Sequence, residues 1–257
     1  MSRTVVDAAD LERRVKDMYT QVALDPQARY HFEMGRAMAS RLGYPDEQLD
    51  AAPAASIESF AGVGYYFGLS NLRAGEHVVD LGSGSGMDSF IAAHKVGVNG
   101  QVTGIDMTDA QLAKADRLGR EHAFTSVRFR RAFIDATGLP DQCCDVVISN
   151  GVINLSPDKP AVFREAARLL RPGGRLALAD IVTGVPLPET VSCDATLWAA
   201  CIGGAMQRDA YVEAIEHAGF TVTTMTPNDE YHFLSRSAQN ATRDYGVHSV
   251  SLLAIRN

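Results

Sequence analysis

The run Val78-Val79-Asp80-Leu81-Gly82-Ser83-Gly84-Ser85-Gly86-Met87-Asp88 leads two β-branched residues and an acid into three glycines at alternate positions, followed by a helix start. Glycine tolerates positive φ and carries no Cβ, so another molecule can approach its backbone closely. Where a strand gives way to a helix, the free amide donors also form a pole suited to anionic groups. Gly-x-Gly alone is compatible with a tight structural turn, but the downstream context adds to it. Gln101-Val102-Thr103-Gly104-Ile105-Asp106 reads as a second strand ending in an acid, 20 residues beyond Gly86. That is the spacing from which a carboxylate grips ribose hydroxyls in a nucleotide-type βαβ unit.

Working outward, strands are predicted at 77–81, 101–105, 127–130, 145–149 and 175–181, with helices at 86–96, 109–122 and 159–170. This alternation implies a parallel sheet covered on both faces. Pro172-Gly173-Gly174 reads as a turn that ends the third helix and feeds the fifth strand. A helical insertion is predicted over 189–205, a helix over 208–218, and further strands at 219–225 and 249–255, around a polar segment at 235–245. The reading is an α/β fold with a Rossmann-like, seven-stranded, mostly parallel sheet in a three-layer α/β/α sandwich.

Upstream, the first 75 residues read as helical, a cap or lid over the 76–257 domain, whose insertion spans 186–206. Asp7 to Val22 places Leu11, Val15, Met18, Tyr19 and Val22 at three- and four-residue steps. A second helix is predicted from Gln27 to Leu42, with Asp25 and Pro26 as start signals and Gly43 as a stop. A short helical Asp-Glu-Gln-Leu piece follows Pro45.

Composition narrows the partners. The chain has 257 residues, 46% of them apolar, enough for one sizeable core. Its 24 basic and 31 acidic side chains sum to −7 without a basic run, which disfavours a nucleic-acid partner. The longest apolar stretch, Leu197 to Met206, is about half a membrane span. The N-terminus lacks the apolar region of a signal peptide, so the expectation is a cytoplasmic chain, with a homodimer left open. Four cysteines, at 143, 144, 193 and 201, form no metal-ligand spacing, and no metal site is predicted.

These features resemble class I S-adenosylmethionine-dependent methyltransferases, most of all the arsenite methyltransferase family, then the ubiquinone/menaquinone C-methyltransferases. The resemblance is carried by Val79–Asp88, Gly104–Thr108, Ile148–Lys159, Leu170–Leu176 and Cys201-Ile202-Gly203-Gly204-Ala205. It implies S-adenosyl-L-methionine as cofactor and in-line methyl transfer to a small-molecule acceptor. By the same resemblance Gly82, Ser83, Gly84 and Gly86 would pack on the methionine part, and Asp80 would bind its amino group. Asp106 would take the ribose hydroxyls and Met107 the adenine face. Phe133, Ile134 and Asp135 would hold the adenine edge, and Asn150 would border the methyl group.

The chain departs from the arsenite family in its thiols, and trivalent arsenic prefers sulfur ligands. Gly151 stands where that family has a cysteine, no cysteine precedes Cys143, and Cys201 alone matches. Arsenite methylation by Cys201, with Cys193 as a second thiolate, therefore stands as an alternative. A non-catalytic cofactor-binding protein is a second. A nicotinamide enzyme is disfavoured because Met87 fills the sixth position of Gly-x-Gly-x-x-Gly. If the acceptor must lose a proton, base candidates are His31, Glu33, His232, His248, Tyr65 and Tyr66; the two tyrosines would also serve as aromatic walls beside a sulfonium.

Overall fold

A computed structural model describes residues 7–188, 191, 198 and 202–257. Its sheet strands are β1 (His77–Leu81), β2 (Gln101–Asp106), β3 (Val127–Arg131), β4 (Cys144–Asn150), β5 (Leu170–Thr183), β6 (Met206–Gln207), β7 (Phe220–Pro227) and β8 (His248–Arg256). The order is β3-β2-β1-β4-β5-β8-β7, with β6 paired to β5 off this path. β8 runs antiparallel to both β5 and β7, and the other pairings are parallel.

Strand side chains alternate between two apolar layers, as a sheet covered on both faces requires. Val78, Val146, Ile148, Ala177 and Ala179 face one layer, together with Phe90 and Ile91 of α6 (Met87–Val96). Val79, Val147, Leu176 and Leu178 face the other, with Phe163 of α8 (Lys159–Leu169) and Tyr211 of α9 (Arg208–His217). α7 (Asp109–Glu121) packs beside β2 and β3.

Before β1 come α1 (Ala8–Leu24), α2 (Arg36–Arg41), α3 (Asp46–Asp50), α4 (Ala54–Glu58) and α5 (Phe67–Ser70). The Asp7 carboxylate caps α1 by accepting from the amides of Ala9 and Asp10. α1 packs on α7 and buries Leu11, Val15 and Val22.

Three expectations need correction. The helix predicted over 27–42 is confined to 36–41, because Gly35 sits at φ 85° and the preceding aromatics pack on one another. Tyr30 and Tyr19 both stack on Phe32, whose ring also meets His31 edge-on. Pro172-Gly173-Gly174 lies inside β5: Cys144 pairs with Leu170 and Val146 with Arg175, so residues 171–174 form a bulge, not a separating turn. The sheet has eight strands, since Met206 and Gln207 add a short one beside Val182 and Thr183. The polar segment at 235–245 is a helix, α10 (Arg236–Tyr245). Most of the predicted 189–205 insertion, Cys193 and Cys201 included, lies outside the described residues. Among the described residues no helix is long and apolar enough to cross a membrane.

Gly104 in β2 has no room for a side chain. A Cβ there would stand 2.5 Å from the Phe129 ring and 2.8 Å from Ser83 Oγ. Gly104→Ala should lower unfolding stability by about 1–3 kcal/mol through overpacking. Urea denaturation would show a lower midpoint at an unchanged slope.

Candidate active site

Strand order reverses between β1 and β4, and such a parting opens a crevice at the carboxyl ends of the strands. A cavity of about 390 Å³ occupies this place. Its floor is the turn after β1, where Gly82, Ser83 and Gly84 contribute lining along with Asp80 at the strand tip. Asp106 and Met107 enter from the end of β2, Ile134 and Asp135 from the loop after β3, and Asn150 from the end of β4. Ten of the eleven residues expected around the cofactor, Phe133 among them, therefore line one cavity. Gly86 lies outside its lining. At φ 92° it caps α6, and a Cβ there would strike Phe129 and Phe90. Its place is in helix packing.

Polar contacts fix these side chains. Asp106 Oδ2 accepts from the Gly84 amide at 3.0 Å and Oδ1 from the Thr108 amide at 2.8 Å. Both oxygens are thereby aimed, and burial pushes the carboxyl up while those amides pull it down. Asp80 is 2% exposed, and its Oδ2 accepts from Ser89 Oγ at 2.6 Å. Burial, and then the charge of Asp88, pushes it up to about 8. Ser83 Oγ is buried without a hydrogen-bond partner.

Asp88 also lines the cavity and was missing from the sequence-based set. Tyr44 donates to its Oδ1 at 2.8 Å, and Tyr66 donates to its Oδ2 at 2.8 Å. Asn150 Nδ2 lies 3.1 Å from that same Oδ2. An acid two residues after Gly86 reads locally as an ordinary first-turn helix residue; the partners that single it out lie 44 and 22 positions away.

The roof is the extended link between α4 and α5. The Val63 amide donates to Asn150 Oδ1 at 2.8 Å, and Asn150 Nδ2 donates to the Gly64 carbonyl at 3.0 Å. Ser249 Oγ donates to the Val63 carbonyl at 2.6 Å, tying the same link to β8. Phe60, Ala61 and Gly62 of this link face the cavity. α1 closes the side near Asp106 with Leu11 and Val15, while Gln111 Nε2 donates to the Tyr19 carbonyl at 3.0 Å.

The base candidates lie elsewhere. Tyr66 is wholly buried with its hydroxyl spent on Asp88, and Tyr65 is hydrogen-bonded to Gln48; neither lines the cavity. His31 packs against Phe32, and Glu33 pairs with Arg41. His248 Nδ1 lies 2.7 Å from the Gly246 carbonyl, and His232 is also outside the lining. Cys143 and Cys144 stand at the start of β4, the opposite end of the sheet, where Cys144 Sγ donates to the Leu169 carbonyl.

Residues 72–219 match the sequence model of the methyltransferase domain family. The chain belongs to that family. Among similar members of this methyltransferase family is an arsenite methyltransferase of Halobacterium salinarum, 39% identical over 220 residues, 83% of this chain and 54% of that protein. The human arsenite methyltransferase is 38% identical over 56% of this chain and 40% of its own length. The chain spans about half the length of the curated relatives it matches. An arsenic(III) S-adenosylmethionine methyltransferase from Chlamydomonas reinhardtii superposes with a TM-score of 0.64 at 28% identity, covering 87% of this chain and 74% of that one. A geranyl diphosphate C-methyltransferase from Streptomyces coelicolor, at TM-score 0.67 and 18% identity, covers 96% and 98% and shares the fold.

The elevated Asp80 carboxyl has a consequence for stability. Its folded value, about 8, exceeds the ordinary carboxylate value of about 4, so between these limits the native state holds a proton that the unfolded chain releases. The stability tied to that proton is full below pH ~4 and is lost as pH rises towards 8. Ligand-free Asp80→Asn should therefore show a higher urea midpoint than the parent at pH 8 and no advantage at pH 4. A difference that does not grow with pH would contradict this assignment.

Proposed function

We propose that this protein is an S-adenosyl-L-methionine-dependent methyltransferase whose acceptor is a small, largely apolar organic molecule. The observation that carries this reading is the pair Asp80 and Asp106, held at the ends of adjacent strands on either side of a glycine turn, with no cationic partner for either among the described residues. The residues fit the cofactor. Asp80 offers a buried carboxylate to an ammonium, Asp106 offers two aimed oxygens to vicinal hydroxyls, and Gly82 and Gly84 leave the main chain bare. Bound there, the cofactor supplies an electrophilic methyl group on a positively charged sulfur.

The chain's own contribution is alignment and exclusion of water. Asn150, locked by Val63 and Gly64, fixes the roof over the site. Phe60, Val152 and Leu155 supply apolar walls on the side open to an acceptor. Positioning of this kind can supply about 7–11 kcal/mol of a bimolecular barrier. The described N-terminal segment, residues 7–75, acts in this reading as a cap, because α1 and residues 60–62 both border the cavity.

Arsenite methylation is the second reading, favoured by the identity to arsenite methyltransferases. The described cysteines, Cys143 and Cys144, are at the far end of the sheet, so this reading rests on Cys201 and Cys193, which lie outside the described residues. One observation weighs against a further thiolate. Gly151 has φ 70°, and a Cβ there would meet Val63 Cγ1 at 3.2 Å, so a cysteine in its place would be strained and crowded.

Calorimetry with S-adenosylhomocysteine should show one site per chain. Asp106→Ala should weaken it by ~2 kcal/mol, as losing a charged hydrogen-bond partner does; unchanged affinity would refute the ribose assignment. Incubation with labelled S-adenosylmethionine should give labelled product from a panel of small organic acceptors, and none from trivalent arsenic with thiol. A methylated arsenical as the sole product would instead establish the second reading.

A further inference from the structure

Elsewhere in this chain, shielded carboxylates have a cation beside them. Glu165 pairs with Arg168 at 2.7 Å, Glu76 with Arg175 at 2.6 Å, and the charge of Lys159 acts on buried Asp180. Asp88 is 6% exposed, yet all its partners are neutral: two tyrosine hydroxyls and one amide. Among the described residues no lysine, arginine or histidine forms an ion pair with Asp80, Asp88 or Asp106. Neutral donors orient an anion without cancelling its charge, and an uncompensated buried charge costs several kcal/mol.

Tyr44 donates to one oxygen of Asp88, and Tyr66 and Asn150 to the other, so both oxygens are held in place. Asp88 also faces the same cavity as Asp80, and it lies near enough for its charge to act on that group. A carboxyl in this position either keeps a proton, as Asp80 does in the free protein, or meets a positive charge, and a ligand entering the cavity can bring one.

We infer that Asp88 is a second cofactor-recognising carboxylate, which with Asp80 neutralises the ammonium of the amino-acid tail, while Tyr44 and Tyr66 hold it facing the cavity. Tyr44 lies between α2 and α3, and Tyr66 immediately precedes α5. The residues that orient Asp88 thus belong to the N-terminal helical segment, so that segment takes part in cofactor selection. This rests on the S-adenosylmethionine reading of the cavity.

The test compares two ligands by calorimetry: S-adenosylhomocysteine, which has the ammonium, and 5′-methylthioadenosine, which lacks the whole amino-acid tail. Asp88→Asn keeps the size and removes the charge, with one tyrosine hydroxyl turning to accept from the new amide. It should weaken S-adenosylhomocysteine at least tenfold and 5′-methylthioadenosine less than twofold. Equal weakening of both ligands, or of neither, would overturn the inference. Should that variant fail to fold, the Tyr44→Phe and Tyr66→Phe variants carry the test. Each should lower the affinity ratio of the two ligands at least threefold, and an unchanged ratio in both overturns the inference. If the unaltered protein bound neither ligand, the reading of the cavity itself would fall; normal binding of both with no charge-selective effect removes Asp88 alone.

Discussion

A carboxylate withdrawn from water must find a positive charge or hold a proton. Around the crevice between β1 and β4, Asp80, Asp88 and Asp106 face one cavity with only neutral donors bonded to them. The parting of the strands brings the ends of β1 and β2 and the first turn of α6 together, so the fold itself concentrates carboxyl groups there. A cationic ligand with a sugar attached relieves that concentration. The bare main chain at Gly82 and Gly84 gives it space to do so.

The N-terminal helices are bound into the same arrangement. Asn150 joins β4 to the link at 63–64, Tyr44 and Tyr66 reach Asp88, and Ser249 and Ser251 fasten the link to β8. The roof of the cavity is thus stitched to β4, to β8 and to α6. Binding at the floor and order in the roof are consequently linked through shared side chains, above all Asn150, whose amide nitrogen lies within 3.1 Å of Tyr44 Oη, Gly64 O and Asp88 Oδ2.

Much of the parallel half of the sheet was legible because β1, β2 and β4 are short apolar, β-branched runs alternating with helical segments, and the βα spacing picks out Asp106. Asp80 was legible for the same reason, as the acid at the mouth of a glycine turn. Asp88 was not, since its meaning depends on Tyr44 and Tyr66, which only tertiary structure brings to it. Gly86 looked like part of the ligand cradle, but the rings of Phe90 and Phe129 claim the space beside it. The segment at 27–35 carries helix-start signals, yet Phe32 is recruited into an aromatic cluster and Gly35 turns the chain. Pro172-Gly173-Gly174 has turn chemistry, and the pairing of β4 with β5 on both sides absorbs it as a bulge. Local signals lost in these places because packing between distant segments outweighed them.

The most direct measurement is a crystal structure of the protein with S-adenosylhomocysteine. The account predicts the amino-acid tail across Gly82–Gly84, its ammonium within about 3 Å of the Asp80 carboxylate, and both ribose hydroxyls on Asp106. A nucleoside bound away from the β1–β4 parting, or a ribose with no contact to Asp106, would contradict it.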